Sequence, residues 1–443
     1  MYLHGSSRIN EQGHLEIGGC DTTQLVKKYG TPLYVYDESL IREKSQAFIR
    51  AFEESGFSYQ VAYASKAFLC LEMCNVVKEE HLSLDVVSGG ELYTALQAGF
   101  PAQRIHFHGN NKTEEEIRMA IEANIGCFVV DNFFELEILH DIAKESGKIV
   151  NILLRVTPGV EAHTHEYITT GQDDSKFGFG ISSGQALQAM KIAVRKPFYR
   201  VQGVHSHIGS QIFETDGFVR AIEILSTFLE LVRVETGETM PILNLGGGFG
   251  IRYTKEDTPL PVSTYVKEMT DTVREQFTSR NYPIPEIWIE PGRSIVGDAG
   301  TTLYTIGSIK DIPGIRKYVA VDGGMTDNIR PALYQASYEA MLANRAKEQP
   351  EEKVSIAGKC CESGDMLIWD IDLPKVASMD VLAVSCTGAY GYSMASNYNR
   401  IPRPAVVFVK DGKSKIVVER ESYADLVKND RMNMNNFVSQ PIV

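Results

Sequence analysis

Six short segments carry the side chains able to do chemistry. Lys66 stands in YASKA (63–67), a charge at the end of an apolar run. In an apolar pocket a lysine has a lowered pKa and attacks a carbonyl carbon more readily. Taken alone, it reads more simply as a lysine snorkelling out at a strand end. HSHIGSQ (205–211) offers the His207 imidazole, a tight turn at Gly209 and the Ser210 hydroxyl, although a satisfied core histidine is the commoner case. In GGGFG (246–250), Gly246, Gly247 and Gly248 let backbone N–H groups approach an anion with no Cβ in the way, and a following helix would add its dipole. A glycine-rich turn is a weak signal by itself.

IEPGRS (289–294) puts Glu290 directly after an apolar strand, with Gly292 and Arg293 behind it. A carboxylate there is costly to bury unless it meets a cation. A protonated ring nitrogen would serve, and so would an internal salt bridge to Arg293. CCESGD (360–365) sets the thiols of Cys360 and Cys361 beside Glu362, or is a small buried hydrophobe next to an ordinary turn. GAYGYSMASNYN (388–399), with Tyr390, has the composition of a ligand-facing loop, which an interface would share.

The elements that must position these groups follow a rhythm of apolar strands and amphipathic helices. Strands are expected at 59–65, 82–88, 104–109, 127–131, 151–158, 199–208, 241–247 and 286–291, with helices between them. One such helix spans 113–124, opened by a Thr113/Glu116 capping box and closed near Gly126. Eight β-then-α units predict a parallel (β/α)8 barrel, with a doubly wound sheet as its rival. Lys66, Asp85, Ser88, Arg155, His207, the glycine triplet, Glu290 and Arg293 all fall at carboxyl ends of these strands, where barrel active sites form. Their convergence says more than any one motif.

Outside the barrel, 32–37 (PLYVYD) reads as a strand, preceded by a small helix with an Asp21/Gln24 capping box and a stop at Gly30. From about residue 300, strand-like runs crowd together with few helices, which predicts an all-β second domain. Within it, a hairpin is expected around Asp411-Gly412 and one helical intrusion at 331–343. The domain expectation is therefore an N-terminal segment 1–35, a barrel 36–296 and a β-domain 297–443.

The 443 residues suffice for two or three domains with ample core. A net charge of −13 and no Lys/Arg cluster leave nucleic acid an unexpected partner. No apolar run approaches the ~20 residues of a bilayer span, and the first residues lack a signal peptide's basic and apolar regions. Seven cysteines without CxxC spacing fit a reduced cytoplasmic setting better than disulfides or a zinc site. The tail 433–443 reads as disordered.

Taken together and in order, PLYVYD, YASKA, SGGEL, HTHEYITTG, KFG, HIGSQ, GGGFG, EPGR, CESGD and GAYGYSMASNYN resemble the fold-type III pyridoxal-phosphate-dependent decarboxylases over nearly the whole chain. Each motif is short, and the ordered set is specific. Phe68, where the family often has Asn, and the doubled cysteine at Cys360 depart from the pattern.

The resemblance implies an alanine-racemase-type (β/α)8 TIM barrel with a C-terminal β-domain that also takes in the first residues. It implies a homodimer with shared active sites. The cofactor is then pyridoxal 5′-phosphate and the reaction loss of CO2 from meso-2,6-diaminopimelate to give L-lysine, the last step of lysine biosynthesis. Lys66 corresponds to the Schiff-base lysine and His207 to the residue stacked on the ring. Gly246, Gly247, Gly248, Ser210, Gly292 and Arg293 would surround the phosphate, and Glu290 would face the pyridine nitrogen. Arg293, Arg330 and Tyr334 would contact the substrate's distal end, with Tyr390 near phosphate and substrate. Cys361, a candidate proton donor alongside Lys66, and Glu362 would come from the partner subunit.

Three alternatives remain. A sister decarboxylase for ornithine, lysine or arginine would need an acidic pocket in place of Arg293 and Arg330. A racemase would commonly carry arginine in place of Glu290. A non-catalytic, cofactor-binding regulatory homologue should have lost Lys66 or Cys361.

Overall fold

The computed structural model describes residues 1–160 and 174–431, so the motif at 163–171 and the tail at 433–443 lie outside the described residues. Eight parallel strands form a closed barrel: β1 (Tyr59–Ala64), β2 (Ser83–Val86), β3 (Ile105–Phe107), β4 (Cys127–Val130), β5 (Val150–Thr157), β6 (Tyr199–His205), β7 (Ile242–Asn244) and β8 (Glu286–Ile289). Closure is direct, because β8 pairs with β1 in the register Ile287–Tyr59 and Ile289–Val61. That pairing removes the doubly wound alternative, which would leave two open edges.

Successive strand side chains point to opposite faces. Phe128, Val130, Ile152, Leu154 and Leu243 face outward into the core shared with the helices. Cys127, Val129, Leu153, Ile242 and Trp288 instead pack on one another as a separate inner cluster, and His106 stacks on Trp288 with ring centroids 4.4 Å apart. The barrel interior is thus a filled apolar plug. Two residues beyond it, the next inward positions are Asp85, His108, Arg155, His205, Asn244 and Glu290, a polar layer lying on an apolar one.

The helices start where local chemistry starts them. Asp37 caps Glu38–Ser55 by accepting from the Leu40 N–H, and the Thr113/Glu116 capping box opens Glu114–Ala123 as expected. Asp21 caps Thr22–Tyr29 through the N–H and hydroxyl of Thr23, so its partner is Thr23 and the expected Gln24 box does not form.

The second sheet runs Met366–Leu373, Glu352–Ala357, Arg316–Val321, Gly300–Ile312, Leu33–Asp37, Ala405–Lys410 and Lys413–Val418. The strand Leu33–Asp37 lies between two C-terminal strands, antiparallel to Gly300–Ile312 and parallel to Ala405–Lys410. The hairpin at Asp411-Gly412 forms, with φ of 51° and 73° as a tight two-residue turn demands. The helical intrusion at 331–343 is corrected. Only Arg330–Tyr334 is helical, Gln335 stops it at φ 52°, and Ala340–Leu342 pairs as a strand with Val381–Val384. Burial of Tyr338, Ala340 and Leu342 in the β-domain core overrides the segment's helical propensity.

Phe68 joins the two parts. It is fully buried, stacks on Tyr36 at 4.5 Å, and meets Tyr392 and Phe408 at 6.0 and 6.4 Å. An aromatic at this position therefore packs the turn after β1 against the β-domain, a role asparagine would not fill.

Candidate active site

One cavity of about 1130 Å³ opens at the carboxyl ends of the barrel strands. Among the predicted residues, Lys66, His207, Ser210, Gly247, Gly248, Glu290, Gly292, Arg293, Arg330, Tyr334 and Tyr390 line it. Lys66 follows β1 in a 3-10 turn, Ser65–Ala67. That turn is pinned on both sides: the Ser65 hydroxyl donates to Glu91 at 2.7 Å, and the Tyr390 N–H and Ser393 hydroxyl donate to the Ala67 carbonyl at 2.9 and 3.0 Å. The lysine side chain is exposed into the cavity. Its surroundings are not the expected apolar pocket, since Asp85, His207 and Glu290 line the same space.

Glu290 is buried at the centre of a charge network. Its Oε2 lies 3.0 Å from His205 Nε2, its Oε1 3.0 Å from His108 Nε2, and Asn244 Nδ2 donates to Oε1 at 2.6 Å. Burial opposes ionisation, yet the two imidazoles outweigh it and hold the carboxyl well below its ordinary value. Asp85, 3.7 Å from His108, is pushed up to about 6, mainly by burial. The plainer reading of Glu290, a bridge to Arg293, does not hold: Arg293 turns to Ser210 and Tyr253. His108, His205 and Asn244 were not singled out from the sequence. The signal was the period-2 count along β3, β6 and β7, which sets each of them inward two residues past the apolar plug.

The glycines fit an anion cradle. A Cβ on Gly247 would lie 2.2 Å from the Glu290 carbonyl oxygen, and one on Gly248 would lie 2.3 Å from that of Gly209. Gly246 and Gly248 also have φ of 68° and 105°. Only glycine permits this close approach, which brings the backbone of Gly247 and Gly248 beside the cavity while the Gly246 N–H donates to Asn244 Oδ1 at 2.9 Å. The expected helix dipole is absent, because the next helix, Val262–Ser279, begins 12 residues after Gly250. His207 accepts from the Gly247 N–H at Nδ1, 3.2 Å away. Burial above all, with Lys66 and Arg155 nearby, holds its imidazole well below the ordinary range, so it is neutral.

Arg293 and Arg330 are both buried, and neither has a carboxylate partner within ion-pair distance among the described residues. Arg293 donates to Ser210 Oγ at 3.1 Å and lies 4.9 Å above the Tyr390 ring. Arg330 donates to the hydroxyls of Tyr253 and Tyr338 at 3.0 and 2.7 Å. Two uncompensated guanidinium groups facing a cavity call for an anionic ligand.

Other expected residues fall elsewhere. Ser88 caps the helix Gly89–Gln97 by accepting from the Glu91 N–H. Arg155 lines the cavity over the Phe177 ring, 3.8 Å from Asp131. Cys361 and Glu362 are exposed and do not line the cavity of the single chain; the Cys361 N–H donates to Asn399 Oδ1 at 2.7 Å. The lining does include the residues a phosphorylated, ring-bearing aldehyde would need: an amine, a glycine cradle, an ionised carboxylate and a neutral imidazole. The chain's donor set fits the cofactor that the sequence motifs imply.

Comparison with known proteins agrees. Residues 38–297 match the family model described as the pyridoxal binding domain of pyridoxal-dependent decarboxylase. The chain is 63% identical over 430 residues to the diaminopimelate decarboxylase of Bacillus subtilis, covering 97% of this chain and 98% of that one. It is 50% identical over 424 residues to the corresponding Staphylococcus aureus protein, covering 96% and 99%. The crystal structure of the M. jannaschii diaminopimelate decarboxylase in complex with L-lysine superposes with a TM-score of 0.91 at 38% identity, covering 98% and 99%.

Proposed function

This chain belongs to the pyridoxal-dependent decarboxylases, in the diaminopimelate decarboxylase group, and we propose that its cavity holds pyridoxal 5′-phosphate on Lys66. Its reaction is the loss of CO2 from meso-2,6-diaminopimelate to give L-lysine, the last step of lysine biosynthesis. The observation that carries this reading is the meeting, in one cavity, of a lysine, an ionised buried carboxylate and two guanidinium groups with no counter-ion among the described residues.

When bound, the cofactor supplies the electron sink that accepts the pair left by the departing carboxylate. Lys66 Nζ would hold it covalently. Glu290, kept ionised by His108 and His205, would keep a proton on its ring nitrogen. His207, neutral, would face the ring. The Gly248 N–H, with Ser210 and Gly292, would receive the phosphate, while Gly246 and Gly247 hold the turn through N–H bonds to Asn244 Oδ1 and His207 Nδ1. Arg293, Arg330, Tyr334 and Tyr390 orient the substrate, and the arginine pair grips its distal carboxylate, a group that ornithine and arginine lack. Cys361 Sγ of the partner subunit, with Glu362 beside it, delivers the proton that replaces CO2; Lys66 Nζ is the other donor within reach of the site.

Functionally the chain divides into a cofactor-binding barrel, 36–296, and a β-domain, 297–443 with 1–35, that carries Cys361 toward a second copy. No helix among the described residues is long and apolar enough to cross a membrane, and all seven cysteines are free thiols. A cytoplasmic homodimer suits an exposed reactive thiol.

The test is CO2 release from meso-diaminopimelate, lysine, ornithine and arginine. Release from the first alone is expected, and equal release from lysine or ornithine would overturn the substrate assignment. Arg330→Ala should lower kcat/KM for diaminopimelate on the order of 10²-fold, since hydrogen bonds to a charged group are lost, while cofactor affinity changes far less. Equal loss of both would make Arg330 structural.

Sharing of the site across a dimer has its own test. Lys66→Ala and Cys361→Ala proteins should each be nearly inactive, Cys361→Ala by on the order of 10²-fold or more as a proton donor is lost. Dissociated together and reassociated, they should recover about a quarter of wild-type activity, because half the dimers then hold one intact site of two. No recovery would remove Cys361 from the partner's cavity.

A further inference from the structure

We propose that Tyr253 is a specificity-determining residue whose hydroxyl donates to the distal carboxylate of the substrate, between Arg293 and Arg330. The inference rests on the reading of the reaction given above and extends it to a residue that neither the sequence motifs nor the resemblance singled out.

The argument is a count of donors and acceptors at one oxygen. The Tyr253 hydroxyl accepts a short hydrogen bond from Arg293 Nη1 and a second from Arg330 Nη1 at 3.0 Å. A phenol oxygen has two lone pairs and one proton. Both lone pairs are taken by guanidinium N–H groups, so the proton alone remains to be placed. Among the described residues no acceptor for it is found, although the side chain is buried and lines the cavity. A buried hydroxyl whose proton has no protein acceptor is arranged to meet one that arrives with a ligand.

The charge around it defines that ligand. Both guanidinium groups lie over the Tyr253 ring, Arg293 at 5.7 Å and Arg330 at 5.1 Å. The neighbouring acceptors are hydroxyls, Ser210 for Arg293 and Tyr338 for Arg330. Burial pushes the Tyr338 phenol up to about 12, so it remains neutral and offsets none of the positive charge. A carboxylate entering this corner meets two cations and the one O–H held between them by both. The distal ammonium of a sister substrate such as ornithine meets the same two cations and, among the described residues, no acceptor aimed at it. The bridge therefore does two things: it fixes the separation of the arginines, and it adds a donor only an anion can use.

The local backbone supports a built position. The N–H groups of Tyr253 and Thr254 both donate to Asp257 Oδ2, at 3.0 and 2.9 Å, and the Tyr253 ring meets that of Tyr338 edge-on at 5.6 Å. The ring stays in place when the hydroxyl is removed, so Tyr253→Phe deletes the bridge and the donor without a cavity.

The experiment compares wild-type and Tyr253→Phe holoenzyme. KM for meso-diaminopimelate should rise on the order of tenfold, the scale of a lost hydrogen bond to a charged group, and kcat should fall by less than KM rises. Inhibition by pimelate, a dicarboxylate without amines, and by L-lysine, which as product keeps the distal carboxylate, should weaken by a similar factor, while inhibition by 1,5-diaminopentane, which has no carboxylate, should change by less than about twofold on the same scale. Unchanged KM and pimelate inhibition, or an equal weakening of pimelate and 1,5-diaminopentane, would overturn the role. A wild-type enzyme that turns over no diaminopimelate would overturn the substrate reading itself, and is distinguished by its occurring before any substitution is made.

Discussion

Lys66→Ala protein mixed with pyridoxal phosphate should show no visible absorbance band of covalently held cofactor and should lose activity by on the order of 10³-fold or more, the scale at which removing one member of a catalytic unit disables the whole. The expectation is physical before it is enzymological. Among the described residues the amine is the one lysine lining the cavity, it leaves the barrel at the end of β1, and its turn is fixed by a bond from Ser65 to Glu91 and by bonds from the loop of Tyr390. Nothing about the fold depends on its side chain, which is exposed into the cavity. Lys66→Ala should therefore melt like the cofactor-free wild type, and a band that survives the substitution would show that another amine holds the cofactor.

Glu290→Gln should have the second-largest effect. An amide has nearly the shape of the carboxylate and none of its charge. It leaves His108 and His205, each 3.0 Å away, facing a neutral group in a buried site, and it can no longer hold a proton on the cofactor's ring nitrogen. Loss of one preorganised charge at the reacting centre predicts a fall in kcat on the order of 10²- to 10³-fold, with Lys66 still able to hold the cofactor. A second readout needs no cofactor. The folded carboxyl lies well below its ordinary 4.5, so it contributes stability that is present above that value and lost as pH falls through the folded value. The stability gap between the cofactor-free wild type and Glu290→Gln should therefore be largest near neutrality and shrink in acid. A pH-independent gap would show that the imidazoles do not hold Glu290 ionised.

The network around Glu290 also explains the gradient of effects expected across the site. Lys66 makes the covalent link, Glu290 governs charge at the ring, and Arg330 and Tyr253 govern only which substrate enters. Substitutions should thus separate into loss of cofactor, loss of turnover and loss of discrimination. At about 1.4 kcal/mol per tenfold, the expected effects run from about 1.4 kcal/mol for Tyr253→Phe to about 4 kcal/mol or more for Lys66→Ala.

Much of this was legible in the residues themselves. Strand and helix periods marked all eight barrel strands, because strands buried on both faces are near-continuous apolar runs and the helices between them begin at capping residues such as Thr113. The reactive groups at strand ends were legible for the same reason: a carboxylate after Ile289 or a lysine after Ala64 is conspicuous against apolar neighbours. Tertiary structure alone decided what those groups face. Glu290 met His108 and His205 instead of Arg293, because barrel closure brings β3, β6 and β8 to one centre from positions 182 residues apart at the extremes, and no local pattern encodes that distance. Likewise 331–343 carries helical spacing but ends as a strand, since pairing with Val381–Val384 buries more than a helix on its own could. Leu33–Asp37 joined a sheet whose other strands begin 267 residues after its first. Local sequence determined the elements and the chemistry each could offer; contacts between segments far apart in the chain determined which charges were paired, which were left for a ligand, and so what the cavity can bind.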